Sequence, residues 1–131
     1  MVWLGEGYLL SGRIEDANTI AQRAVKVSKE HKERGHGVLA LKLLGDIAFK
    51  NNPPDIQKAE NYYREALRAS QEIGMRPVEG HAHAGLGNVY IATGRAEQAR
   101  SELSAAIDLY RAMQMTHWLP PVQAALATLI S

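Results

Sequence analysis

At 131 residues the chain has the length of one domain, enough to bury roughly two-thirds of the surface its unfolded form would expose. Fifteen Lys and Arg against fourteen Asp and Glu, with 46% apolar residues, exclude a disordered polyelectrolyte and leave no global field to attract nucleic acid or an anionic membrane. The absence of cysteine excludes disulfides, thiolate zinc sites and cysteine nucleophiles, and no apolar run approaches the roughly twenty residues of a membrane span.

The chain opens with "MVWLGEGYLL", which lacks the positive region of a signal peptide; this leads us to expect a cytoplasmic protein. Apolar periodicity predicts helices near 2–11, 14–33, 37–50, 55–73, 78–93, 96–113 and 119–130, and no strand. Gly12, Gly74 and Gly94 stand where a left-handed residue would end a helix. Asn52 or Asp55 is placed to cap the fourth helix, and Pro77, Pro120 and Pro121 to open later ones. The short connections make consecutive helices antiparallel neighbours.

The helices repeat. Leu4-Gly5, Tyr8, Gly12-Arg13 and Ala17 recur as Leu86-Gly87, Tyr90, Gly94-Arg95 and Ala99, and a degraded middle copy begins at Leu44-Gly45, with Ala48 in the place of the tyrosine. The glycine spacings are 40 and 42 residues. Behind each glycine runs an i, i+4, i+7 series: Ala17, Ala21, Ala24; Ala59, Tyr63, Ala66; Ala99, Leu103, Ala106. Small residues on one helical face let a partner helix come close. A glycine inside a helix costs about 1 kcal/mol relative to alanine, so Gly5, Gly45 and Gly87 at matched places also point to tight helix contacts.

This pattern resembles the tetratricopeptide repeat, over almost the whole chain and in three copies that agree in phase. The resemblance implies an all-α, right-handed superhelix of antiparallel helix pairs: repeats at about 1–35, 36–76 and 77–116, then a terminal helix at about 118–131. The first repeat is truncated at its start. The period exceeds the usual 34 residues, which implies longer second helices. The stretches "PPDIQKAENYYREAL", "EIGMRPVEGHAHAGLGNVY" and "LYRAMQMTHWL" are similar to the helical C-terminal region of large bacterial signalling proteins that join a cyclase or DNA-binding domain to an ATPase module. That implies an interaction or sensor segment and transfers no enzymatic activity.

By the same resemblance, the first helix of each pair lines a concave groove at fixed offsets from its glycine. These positions are Val2, Glu6 and Leu9; Leu39, Lys42, Asp46 and Phe49; and His81, Ala84, Asn88 and Ile91. The mixture of polar groups for a peptide backbone and apolar groups for side chains suits a protein or peptide partner. It does not match the basic clamp that captures acidic C-terminal tails, since Val2 and Glu6 hold two of its places and Gly85 lacks a cationic side chain. His81 and His83, two apart on a helix, point about 200° away from each other and cannot share a metal. Gly85 and Gly87 form only a lone G-x-G within a helix, so phosphate binding is discounted, and no cofactor is implied. The basic stretch with Arg23, Lys26 and Lys29 is broken by Glu30 and Glu33 and fits a solvated face.

The expected role is therefore a non-catalytic interaction module, with a sensor of a small ligand or peptide as the alternative. The final helix carries no charge. Its Val122, Leu126, Leu129 and Ile130, together with Trp3 at the other end, mark a surface for self-association as a symmetric dimer or for docking to further parts of a longer chain.

Overall fold

A computed structural model describes residues 2–31, 34–51 and 53–129, with the side chains of 2–4, 31, 34 and 36 left aside. Seven α-helices follow one another: α1 (Val2–Leu10), α2 (Ile14–His31), α3 (Arg34–Lys50), α4 (Ile56–Ile73), α5 (Arg76–Ala92), α6 (Ala96–Ala112) and α7 (Leu119–Thr128). A one-turn 3-10 helix, Thr116–Trp118, precedes α7. The described residues contain no strand.

The largest departure from the expected boundaries is α3, which begins three residues earlier and carries Gly35 and Gly37 inside the helix. Close packing explains Gly37, because a Cβ there would lie 2.7 Å from Ser28 Oγ of α2. Asp55 caps α4, its Oδ1 accepting from the Lys58 N–H at 3.1 Å; Asn52, the other proposed cap, lies outside the described residues. The long period is not confined to the second helices. α2 and α4 run 18 residues and α6 runs 17, but α3 and α5 also run 17.

One turn closes four of the helices. The N–H groups of Arg13, Met75, Arg95 and Met115 donate to the carbonyls of Tyr8, Ser70, Tyr90 and Tyr110 at 2.8–2.9 Å, the six-to-one bond of a Schellman motif. The residue before each donor is left-handed: Gly12, Gly74 and Gly94, and then Gln114 at φ 58°. The recurrent tyrosine and arginine are also explained. Arg13 stacks over the Tyr8 ring and Arg95 over the Tyr90 ring, each at 4.5 Å, so the pair clamps the turn by cation–π attraction.

Each helix packs on the next, and α1, α3 and α5 also touch in sequence, which makes a stack of antiparallel pairs. All nine residues of the three small-residue series are buried. The repeat glycines fill their expected role: a Cβ at Gly5 would meet Leu43 at 2.7 Å, at Gly45 the Tyr63 ring at 2.7 Å, and at Gly87 Leu103 at 2.5 Å. Where α4 meets α5 and the turn that follows it, the packing includes a buried carboxylate. Glu60, 6% exposed, binds Arg64 at 2.5 Å and Arg95 at 2.7 Å, and Arg64 also donates to the Tyr90 hydroxyl at 2.8 Å.

A candidate partner-binding groove

The first helices, α3 and α5, bring Lys42, Asp46, His81 and Asn88 to the wall of one cavity of about 210 Å³. Spacing accounts for this. Lys42 and Asp46 are one turn apart on α3, His81 and Asn88 two turns apart on α5, and side-by-side packing of α3 on α5 aligns the two faces. The cavity extends to α7 and the turn before it, where Trp118, Pro121 and Val122 close its end.

Asp46 is the electrostatic centre. Its Oδ2 lies 2.7 Å from Lys42 Nζ, and its Oδ1 accepts from the Tyr63 hydroxyl at 2.5 Å. The tyrosine ring reaches this position between two glycines of neighbouring helices. A Cβ at Gly45 or Gly85 would lie within 2.7 Å of it. Burial, reinforced by the Asp46 charge, raises the Tyr63 phenol far above its ordinary value, so the hydroxyl is a permanent donor. With both carboxylate oxygens engaged, Lys42 retains donors that Asp46 does not use, and the exposed Asn88 offers an amide.

His81 and Tyr110 form the second polar pair. His81 Nδ1 and the Tyr110 hydroxyl are 2.7 Å apart, and the Trp118 ring meets the imidazole edge-on at a centroid distance of 4.6 Å. Burial, with help from the Lys42 charge and against that of Asp46, pushes the His81 pKa down to about 4. The ring is therefore neutral at physiological pH. His83 faces away from it, to Glu102 of α6 at 2.5 Å, as the i, i+2 geometry requires. Among the described residues no three His, Asp or Glu are grouped so as to hold a metal ion.

The other expected groove residues divide. Leu39 is half-buried outside the cavity wall, and Glu6 is exposed on α1. Leu9 is 8% exposed and belongs to the core cluster of Ala17, Ala21, Leu43, Leu44 and Ile47. Phe49 and Ile91 pack against the middle core cluster, where they are joined by Leu129, which follows α7. The terminal-helix surface is likewise partly engaged: Val122 is buried against Leu103 and Tyr110, and Leu126 and Leu129 pack against the same cluster. The Trp3 and Ile130 side chains lie outside the described residues. Leu10, 82% exposed, is the most exposed large apolar side chain among the described residues.

Sequence reasoning missed Tyr110, Trp118 and Pro121. A signal existed for the tyrosine, which sits four residues after Ala106 and so continues the buried series of α6. Nothing equivalent marked Trp118, whose position depends on a 3-10 turn.

No helix among the described residues is long and apolar enough to cross a membrane. No curated protein matches the chain. The family model described as the MalT-like TPR region matches residues 1–130, in keeping with the repeat phase, the matched glycines and the stacked helix pairs. The chain is thus an all-α tetratricopeptide-type repeat module and belongs to the MalT-like TPR region family.

Proposed function

We propose that this chain is a non-catalytic interaction module that holds a protein or peptide partner in its concave groove, as part of a signalling or regulatory protein. One observation carries the reading. Lys42, Asp46, His81 and Asn88, contributed by two different repeats, converge on a single cavity whose wall combines unspent donors with the apolar Ala84, Leu103 and Val122. Backbone carbonyls of a bound peptide would accept from Lys42 and Asn88, while one apolar side chain enters the cavity. Its volume of about 210 Å³ is below the roughly 300–1,000 Å³ of small-molecule sites and suits a single side chain. This favours a peptide over a free small ligand at this place.

Peptides selected on the wild-type chain from a display library test the proposal. Their affinity should fall about tenfold or more in Lys42→Glu combined with Asn88→Ala, since each change removes a donor to the peptide. Asn88 is exposed, but Lys42 pairs with Asp46, so the double variant should melt somewhat below the wild type while keeping its helical circular-dichroism signal at the temperature of the binding assay. Unchanged affinity in the double variant would exclude the groove.

A further inference from the structure

On the convex side, the two junctions between successive second helices differ, although the repeat places equivalent residues at both. Between α4 and α6, the position four residues before the repeat glycine is His83, which bonds to Glu102. Beside them, Arg64 joins the Tyr90 hydroxyl to the Glu60 carboxylate. Between α2 and α4 the residues equivalent to His83 and Glu102 are Leu41 and Tyr62, and those equivalent to Tyr90, Arg64 and Glu60 are Ala48, Gln22 and Asn18. Every replacement shortens the side chain except Tyr62, which is longer than Glu102, carries no charge and bridges to Gln22 at 3.4 Å. Two cavities open on either side of that bridge, of about 480 and 700 Å³.

We propose that the larger cavity is a binding site for a small zwitterion with an apolar side chain, a molecule of the amino-acid type. Its volume falls within the range of small-molecule sites. The floor is apolar: Val38, Leu41 and Leu44 from α3, with Val25 from α2 beside them. From Gln22 to Lys29 the α2 wall is about 10 Å long, enough for a branched or aromatic side chain. The charge in the lining decides the rest of the ligand. Arg68 is engaged by Glu72 at 3.3 Å. Lys29 on the α2 wall and Glu65 on the α4 wall are in no ion pair among the described residues. One uncommitted charge of each sign, on facing helices above an apolar floor, complements a carboxylate and an ammonium on one small body. A ligand carrying a single charge would leave one of the two unanswered.

Titration calorimetry with L-phenylalanine, 3-phenylpropanoate and phenethylamine tests this on the full chain. The amino acid should bind saturably at one site, and each analogue, lacking one charged group, about tenfold more weakly. Leu41→His combined with Tyr62→Glu installs the bonded pair of the other junction over the cavity floor, takes away the Tyr62 wall and should abolish binding. Val25→Trp, which fills the cavity by bulk, should do the same and covers the case in which the double variant fails to fold. Lys42→Glu in the concave groove should change nothing. Equal binding of the three probes, no binding of phenylalanine, binding that survives both cavity-closing changes, or loss of binding in Lys42→Glu would each overturn the proposal.

Discussion

Two alanine substitutions should move stability in opposite directions, although both replace a helical glycine. At Gly87 the new Cβ would lie 2.5 Å from Leu103 Cδ2 and 2.6 Å from its Cγ. Leu103 is completely buried and cannot yield without displacing its own neighbours, among them Val122 and Tyr110. Overpacking of this kind costs about 1–3 kcal/mol, while alanine returns about 1 kcal/mol of helix propensity. The net expectation for Gly87→Ala is a loss of up to about 2 kcal/mol, toward the upper end because Leu103 has no room to yield. At Gly7 nothing lies within 4 Å of the new atom and the residue is exposed, so only the propensity term remains. Gly7→Ala should gain up to about 1 kcal/mol. Thermal and urea unfolding of the three proteins would show a melting temperature lowered by several degrees in one variant and raised in the other. A rise in both would refute the close approach of α5 and α6, and with it the repeat register.

Gln114 holds the left-handed turn position that Gly12, Gly74 and Gly94 occupy elsewhere, and it is exposed; Gln114→Gly should stabilise by about 1 kcal/mol in urea unfolding. The depressed pKa of His81 makes a pH prediction. Because the unfolded ring binds its proton near pH 6.5 and the folded one only near 4, its contribution is full above pH 6.5 and is lost as the pH falls between those values. The full shift corresponds to about 3 kcal/mol, reduced to about 1–2 kcal/mol because part of the ring faces solvent. His81→Gln should flatten the stability profile between pH 6.5 and 5, and an NMR titration of the wild-type ring should show no inflection near 6.5. Tyr63→Phe removes the donor to Asp46 Oδ1 while keeping the ring between Gly45 and Gly85, and should cost about 1–2 kcal/mol, measured by urea unfolding.

The fold was legible because the repeat writes the same physical instruction several times. Leu-Gly at matched places marks the close helix contact, the alanine series marks the face that receives it, and Gly12 and Gly94 mark the turn. Each of these is a local steric requirement, which a sequence can display by itself. The groove was half legible. Lys42, Asp46, His81 and Asn88 follow from the resemblance to the tetratricopeptide repeat, which places each at an offset from a repeat glycine. Leu9 and Phe49 share that phase but pack into core clusters, because the neighbouring helix comes near enough to cover them. Which of two equally spaced residues is covered depends on the crossing of the helices, and the sequence does not carry that angle. The end wall was illegible for a similar reason. The apolar α7 could be seen to need cover, and the chain's own α6 and middle core cover one face of it, reached through the turn at Trp118. The open α2–α4 junction required knowing that residues at equivalent repeat positions meet in space. Only then does Ala48 in place of a tyrosine become a cavity and not merely a worn copy.

The central claim is that a partner occupies the concave groove where α3, α5 and the start of α7 meet. Amide and side-chain chemical shifts of the labelled chain, followed as a selected peptide is titrated, test it most directly. The account predicts that the largest changes fall on Lys42, Asp46, Gly85, Asn88 and the Trp118 indole. Changes confined to the α2–α4 face, or to α1 and the exposed flank of α7, would contradict it.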